Sequence, residues 1–120
     1  MVDWIGVSVY GAQTPEERNT RTFADGMNAV MPRLAQLAPQ KPVVVAEFGV
    51  TAGNPWVDAA AWAEAALGQM LANRWPQLRG FSWWNEAFGK TEMRVQEVPG
   101  LKEVFRKKLS SLRVLDYPLQ

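Results

Sequence analysis

The spacing of apolar residues predicts three β-strands along the chain. Asp3–Gly11 ("DWIGVSVYG") alternates apolar side chains with small or polar ones, which is typical of a strand with one buried face. Val43–Phe48 ("VVVAEF") is apolar except for Glu47, as in strands that flanking helices bury on both faces. Gly80–Glu86 ("GFSWWNE") is the third predicted strand.

Helical periodicity separates these strands. "TPEE" at Thr14–Glu17 is typical of a helix start, with a threonine cap, a proline in the first turn and acids near the positive end of the dipole. We expect Gly26 to weaken this helix and Pro32 to kink or split it. A second, alanine-rich helix is predicted over Val57–Trp75, and a third opens at Pro99. The buried stripe predicted for the first helix comprises Phe23, Met27, Val30, Met31, Leu34 and Leu37.

The order of the predicted elements is β–α–β–α–β–α. Strands that alternate with helices predict an α/β fold with parallel pairing and right-handed crossovers. No repeat, low-complexity tract or linker interrupts the pattern, so residues 1–120 are expected to form a single domain.

Composition narrows the possible chemistry of the domain. Its 120 residues contain no cysteine and no histidine, which leaves carboxylates as the leading catalytic groups and gives no reason to expect a metal or a cofactor. The net charge is +1 without a basic stripe, which argues against nucleic acid as a partner. No stretch approaches the ~20 apolar residues that span a bilayer, so no membrane partner is expected. Composition does not indicate the cellular compartment of the protein.

Candidate chemistry gathers at the ends of the predicted strands. The first strand ends near Tyr10, the second at Glu47, and the third in Trp83-Trp84-Asn85-Glu86. The carboxyl ends of parallel strands share one edge of a sheet, where active sites of α/β proteins lie. Aromatic rings stack on sugar rings and carboxylates act on glycosidic bonds, so a sugar site is indicated. Each residue also has a structural alternative, because Glu47 could pair with an arginine, Tyr10 could be a packing residue, and one of the paired tryptophans should pack against helices.

Three of these segments resemble clan A retaining glycoside hydrolases, the (β/α)8 barrels that include mannanases, lichenases and cellulases. "KPVVVAEFG" resembles the seventh strand of that group, "VDWIGVSVYG" the sixth and "GFSWWNE" the eighth, and "MRVQEVPGLKEVFRKKL" is similar to the closing helix of mannanase-like members. The resemblance implies that Glu47 is the nucleophile, that Tyr10 donates a hydrogen bond to it, and that Trp84 forms the floor of the adjoining sugar subsite. Trp83, Asn85 and Glu86 are further candidates for substrate binding.

The chain also departs from that family. A complete barrel needs about 250 residues, so the resemblance implies a partial TIM barrel of three βα units. The acid/base glutamate of the family follows an asparagine at the end of the fourth strand. "WNE" at Trp84–Glu86 mimics that motif but follows the nucleophile instead of preceding it, so we expect Glu86 to be a loop residue near the cleft. The chain by itself is therefore expected to be inactive.

Three functions and one assembly state follow as expectations. The first function is that of a fragment of a retaining β-glycoside hydrolase, whose ligand is a polysaccharide or oligosaccharide. The second is a non-catalytic carbohydrate-binding remnant, and the third is a small stand-alone α/β assembly protein without a sugar site. Three parallel strands leave two unpaired edges and an exposed apolar face, so we expect a homodimer or a higher oligomer.

Overall fold

Three parallel strands, with a helix after each, form the frame of the molecule. The computed structural model describes residues 4–110, so the predicted strand start at Asp3 and both ends of the predicted domain lie outside the described residues. The strands are β1 (Ile5–Tyr10), β2 (Val43–Gly49) and β3 (Leu78–Trp83), in the order β1-β2-β3, followed by a hairpin of β4 (Ala87–Phe88) and β5 (Thr91–Glu92). The helices are α1 (Phe23–Leu37), α2 (Ala59–Leu71) and α3 (Leu101–Leu109). The predicted α/β class with helices between parallel strands is confirmed.

The first helix begins later than predicted. Thr22 caps it: its hydroxyl accepts a hydrogen bond from the Asp25 amide at 3.0 Å, and the Asp25 carboxylate accepts one from the Thr22 amide at 2.9 Å. This reciprocal pair satisfies two amides that a helix start leaves free. Thr14–Glu17 forms a turn instead, closed by a 3.2 Å bond from the Glu17 amide to the Thr14 carbonyl. The predicted start at Thr14 is therefore wrong.

Helix α1 runs without interruption through Pro32, so the predicted split is wrong. Its buried residues Phe23, Met27 and Met31 share one face, and tertiary packing of such a face supplies most of the stability of a helix in a protein. Leu37, predicted to be buried, is 79% exposed at the end of the helix.

An aromatic cluster fills the space between the sheet and the helices. Phe23, Phe48, Trp62 and Trp83 are all buried, and the Phe48 ring lies 5.3 Å from that of Phe23 and 5.1 Å from that of Trp83, both edge to face. Trp62 and Trp75 are in the core as predicted, whereas Trp56 is 44% exposed and lies over Arg18. Across residues 4–110, no helix is long and apolar enough to cross a bilayer.

Only one face of the sheet is covered by helices. Val43, Val45 and Phe48 of β2 are buried, but Ala46 between them is exposed. The strand order explains this. The strands are adjacent in chain order, and connections between parallel strands have the same handedness, so all the connecting helices lie on the same side of the sheet. The prediction that β2 is buried on both faces is therefore wrong. We call the uncovered side the open face; its exposed strand residues are Gly6, Ser8, Ala46, Glu47 and Ser82.

Candidate functional site

A β-bulge directs Glu47 to the open face. Val7 of β1 is opposite Val45, but the next residue, Ser8, is opposite Glu47, so Ala46 is an extra residue in β2. The pairing of β2 with β3 shifts at the same place. Without the extra residue to shift the alternation, Glu47 would turn toward the helices and Phe48 would turn away from them. The bulge keeps Phe48 in the core and leaves the Glu47 carboxylate exposed.

Tyr10 holds the carboxylate of Glu47 from the neighbouring strand. Its hydroxyl donates a hydrogen bond to Glu47 Oε1 at 2.5 Å, short enough to indicate a charge-assisted bond. Partial burial, and then the hydrogen bond to Glu47 and the charge of that carboxylate, hold the pKa of the Tyr10 hydroxyl well above its usual range. The proton therefore stays on the Tyr10 hydroxyl at neutral pH. Glu47 accepts its hydrogen bond from Tyr10 rather than from an arginine. Tyr10 also packs against the core, which agrees with its structural alternative as a packing residue.

Tyr10, Glu47 and Trp84 line one open cavity of about 350 Å³. Its volume falls within the roughly 300–1,000 Å³ that is usual for ligand sites. The structure thus brings together the three residues that the resemblance singled out first. Four further residues complete the lining, and they are Gln13, Phe88, Thr91 and Met93.

The paired tryptophans separate at the end of β3. Trp84 is half-buried at the cavity, and its amide donates to the Phe48 carbonyl at 2.9 Å, which fixes its backbone against β2. Trp83 turns into the core, where its indole N–H donates to the Met93 carbonyl at 2.6 Å. Trp83 is a candidate for substrate binding that the structure places in the core and not in the lining of the cavity.

Asn85 and Glu86 lie in the loop after β3, and neither lines the cavity. The Asn85 side-chain oxygen accepts a hydrogen bond from the Val95 amide at 2.6 Å, and the Glu86 carbonyl accepts one from the Met93 amide at 3.1 Å. Both bonds close the loop that contains the hairpin. These two residues therefore shape the loop beside the cavity, and the Glu86 side chain is exposed.

The β4–β5 hairpin was not among the elements predicted from the sequence. Gly89, with a φ of 58°, and Lys90 form the two-residue connection between β4 and β5. A glycine at the first position of such a connection is a known hairpin signal, so Gly89-Lys90 could have revealed it. The hairpin brings Phe88 and Thr91 to the cavity.

Of the described residues, Glu47 is the only carboxylate in the lining of this cavity. Glu92 of the hairpin is paired with Arg94 at 2.6 Å, and the hydrogen bond from Arg94 lowers the pKa of Glu92 to about 2. Within the described part of the chain, no cluster of three or more histidine, cysteine or acidic side chains could hold a metal ion. The arrangement provides one positioned carboxylate, one phenol and two aromatic rings, which suits nucleophilic attack or binding at a sugar.

Comparison of the sequence with models of protein families and with curated proteins gave no match.

Proposed function

We propose that this chain is part of a retaining β-glycoside hydrolase and that Glu47 is its nucleophile. The observation that carries the proposal is the 2.5 Å bond from Tyr10 to Glu47 at the carboxyl edge of a parallel sheet. Trp84 opens into the same cavity, where an aromatic face can support a sugar ring beside the carboxylate. These are the roles that the family resemblance implies for the three residues.

The proposed chemistry begins with attack by the carboxylate. Tyr10 engages Oε1, so we assign Oε2 of Glu47 as the atom that bonds to the anomeric carbon. The bond from that carbon to the leaving oxygen breaks, and the leaving oxygen takes a proton from a general acid. Water then hydrolyses the glycosyl ester and returns the free carboxylate, with net retention of configuration. Tyr10 orients the carboxylate for the attack through its hydrogen bond to Oε1.

We propose that the fold is a sector of a (β/α)8 barrel. The support is a parallel sheet in chain order, with its helices on one face and small side chains such as Gly6, Ser8 and Ser82 on the other. In a closed barrel the second face would point inward. In the chain as described, that face and the outer edges of β1 and β3 are available to a second copy, which supports the proposed homodimer.

Among residues 4–110 the general acid has no candidate in the cavity, because Glu47 is the only carboxylate of that range that lines it. A proton donor would have to come from outside residues 4–110 or from another polypeptide. General acid–base catalysis contributes typically 10²–10⁴-fold, so hydrolysis of natural glycosides by this chain is expected to be very slow. The same observation favours a second candidate, a carbohydrate-binding remnant in which Glu47 only orients the sugar.

An activated substrate separates these two candidates. Fluoride leaves as an anion and needs no proton, so a 2-deoxy-2-fluoroglycosyl fluoride tests the nucleophile without the general acid. We expect the β-gluco or β-manno reagent to add one glycosyl group to the chain, as measured by intact mass. Glu47→Gln should abolish the addition, and Glu86→Gln, the matched control in the neighbouring loop, should retain it.

Sugar binding without labelling supports the remnant instead. In that case oligosaccharide binding would be lost in Trp84→Ala and kept in Glu47→Gln. Labelling that persists in Glu47→Gln would contradict the proposed nucleophile.

A further inference from the structure

Phe88 is the most exposed large apolar side chain between residues 4 and 110. It is 81% exposed at the tip of the β4–β5 hairpin, and it lines the same cavity as Glu47. An aromatic ring that stays in water does not gain the free energy of burial. Its exposure beside a carboxylate therefore indicates a surface that contacts a ligand. Phe88 stacks on no other ring within the described range, so its exposed ring is available to a ligand.

The hairpin that carries Phe88 is fastened to the loop after β1. Lys90 forms an ion pair with Glu16 at 2.9 Å, and the Thr91 hydroxyl donates to the Gln13 carbonyl at 2.5 Å. One contact is made by the hairpin connection and the other by the first residue of β5. They hold the tip beside the residues that follow Tyr10.

Strand β5 of the hairpin is also fastened to the loop after β2. The Glu92 amide donates to the Thr51 hydroxyl at 3.0 Å, and the Glu92 carbonyl accepts from the Ala52 amide at 2.8 Å. Thr51 is fully buried, so this anchor is part of the body of the protein. Phe88 is therefore held in place over the cavity before any ligand arrives, which reduces the ordering cost of binding.

We propose that Phe88 is a specificity residue that stacks on the sugar unit next to the one held at Glu47 and Trp84. This inference rests on the proposed function and specifies its substrate class: a β-linked oligosaccharide of at least two units. Two aromatic rings carried by separate elements offer two stacking surfaces within one cavity. Gln13 and Thr91, which line the cavity with them, supply polar groups for sugar hydroxyls.

The test is a chain-length series. Binding of monosaccharides, disaccharides and trisaccharides of the β-mannan and β-glucan series to the full chain is measured by calorimetry. We expect affinity to rise from one unit to two. Phe88→Ala should remove that gain, roughly threefold to tenfold, which is the scale of one aromatic contact. Phe88→Trp should keep it.

Leu37→Ala is the matched control, because Leu37 is 79% exposed on α1 and lies outside the cavity lining. It should leave the whole series unchanged. This inference would be overturned if affinity still rose with chain length in Phe88→Ala, or if Phe88→Ala lost affinity equally at every chain length. In either case, sugar binding that still depends on Trp84 would leave the proposed function standing. Absence of binding to every sugar by the unaltered chain would overturn both.

Discussion

Tyr10 and Glu47 depend on each other electrostatically. A neutral phenol donates to a carboxylate across 2.5 Å, and ionisation of the phenol would place two negative charges at that distance. The partly buried position of Tyr10 adds to the cost of its ionised form. The Tyr10 hydroxyl therefore stays protonated over the whole neutral range and donates to Glu47.

This coupling is measurable as a tyrosine titration. In Tyr117→Phe, Tyr10 is the only tyrosine left in the chain, and its ultraviolet absorbance should report a pKa well above the usual value of about 10. Because the pKa of Tyr10 is raised in the folded state, the contribution of the Tyr10–Glu47 pair to the free energy of unfolding is complete below pH ~10. It is lost as pH rises through the raised pKa of Tyr10. Adding Glu47→Gln should move the titration back toward the usual value, and a normal titration in the folded parent would contradict the coupling.

Among the elements, the strand ends were predictable and the irregularities were not. Tyr10, Glu47 and Trp84 could be assigned to one edge from strand order alone, because parallel strands end on the same side. The bulge at Ala46 could not be read from "VVVAEF", since a continuous apolar run contains no alternation that would reveal an extra residue. The start of α1 was missed because Thr14 and Thr22 both precede an acid three residues on, and only Thr22 forms the reciprocal cap.

The contact between α1 and β1 predicts opposite effects for two helical glycines. A Cβ on Gly26 would lie 2.5 Å from Val9 Cγ1, whereas one on Gly68 would lie 3.6 Å from the flexible Lys108 ammonium. Gly→Ala favours a helix by roughly 1 kcal/mol, but overpacking against a branched side chain costs typically 1–3 kcal/mol. We expect Gly68→Ala to raise the free energy of unfolding and Gly26→Ala to lower it by about 1 kcal/mol, as measured by urea denaturation. Equal stabilisation by both would contradict the close approach of α1 to β1.

At the scale of the whole molecule, the sheet is covered on one side only. β1 and β3 each pair with a single neighbour in the described sheet, and the open face is available beside the Glu47 site. The sequence predicted the unpaired edges from the strand count. The strand count also predicted an uncovered face, although the apolar run of β2 predicted burial on both sides. The expectation that this face is apolar is wrong, because its exposed strand residues are small or polar.

We therefore expect the chain to associate in solution. Light scattering at micromolar concentration should give at least twice the 13.4 kDa of one chain. Ser8→Lys combined with Ser82→Lys places charges on the open face and should shift the protein toward the monomer, with the helical circular dichroism retained. A mass of one chain for the unaltered protein would contradict association.

The central claim is that the Glu47 carboxylate attacks the anomeric carbon, and the most direct measurement locates the covalent bond. After labelling with the fluoroglycosyl fluoride, tryptic cleavage should release residues 34–74, because the bond between Lys41 and Pro42 resists trypsin. That peptide contains three carboxylates, which belong to Glu47, Asp58 and Glu64. We predict that fragmentation mass spectrometry places the sugar on Glu47. A sugar on Asp58, on Glu64 or on any other peptide would contradict the claim.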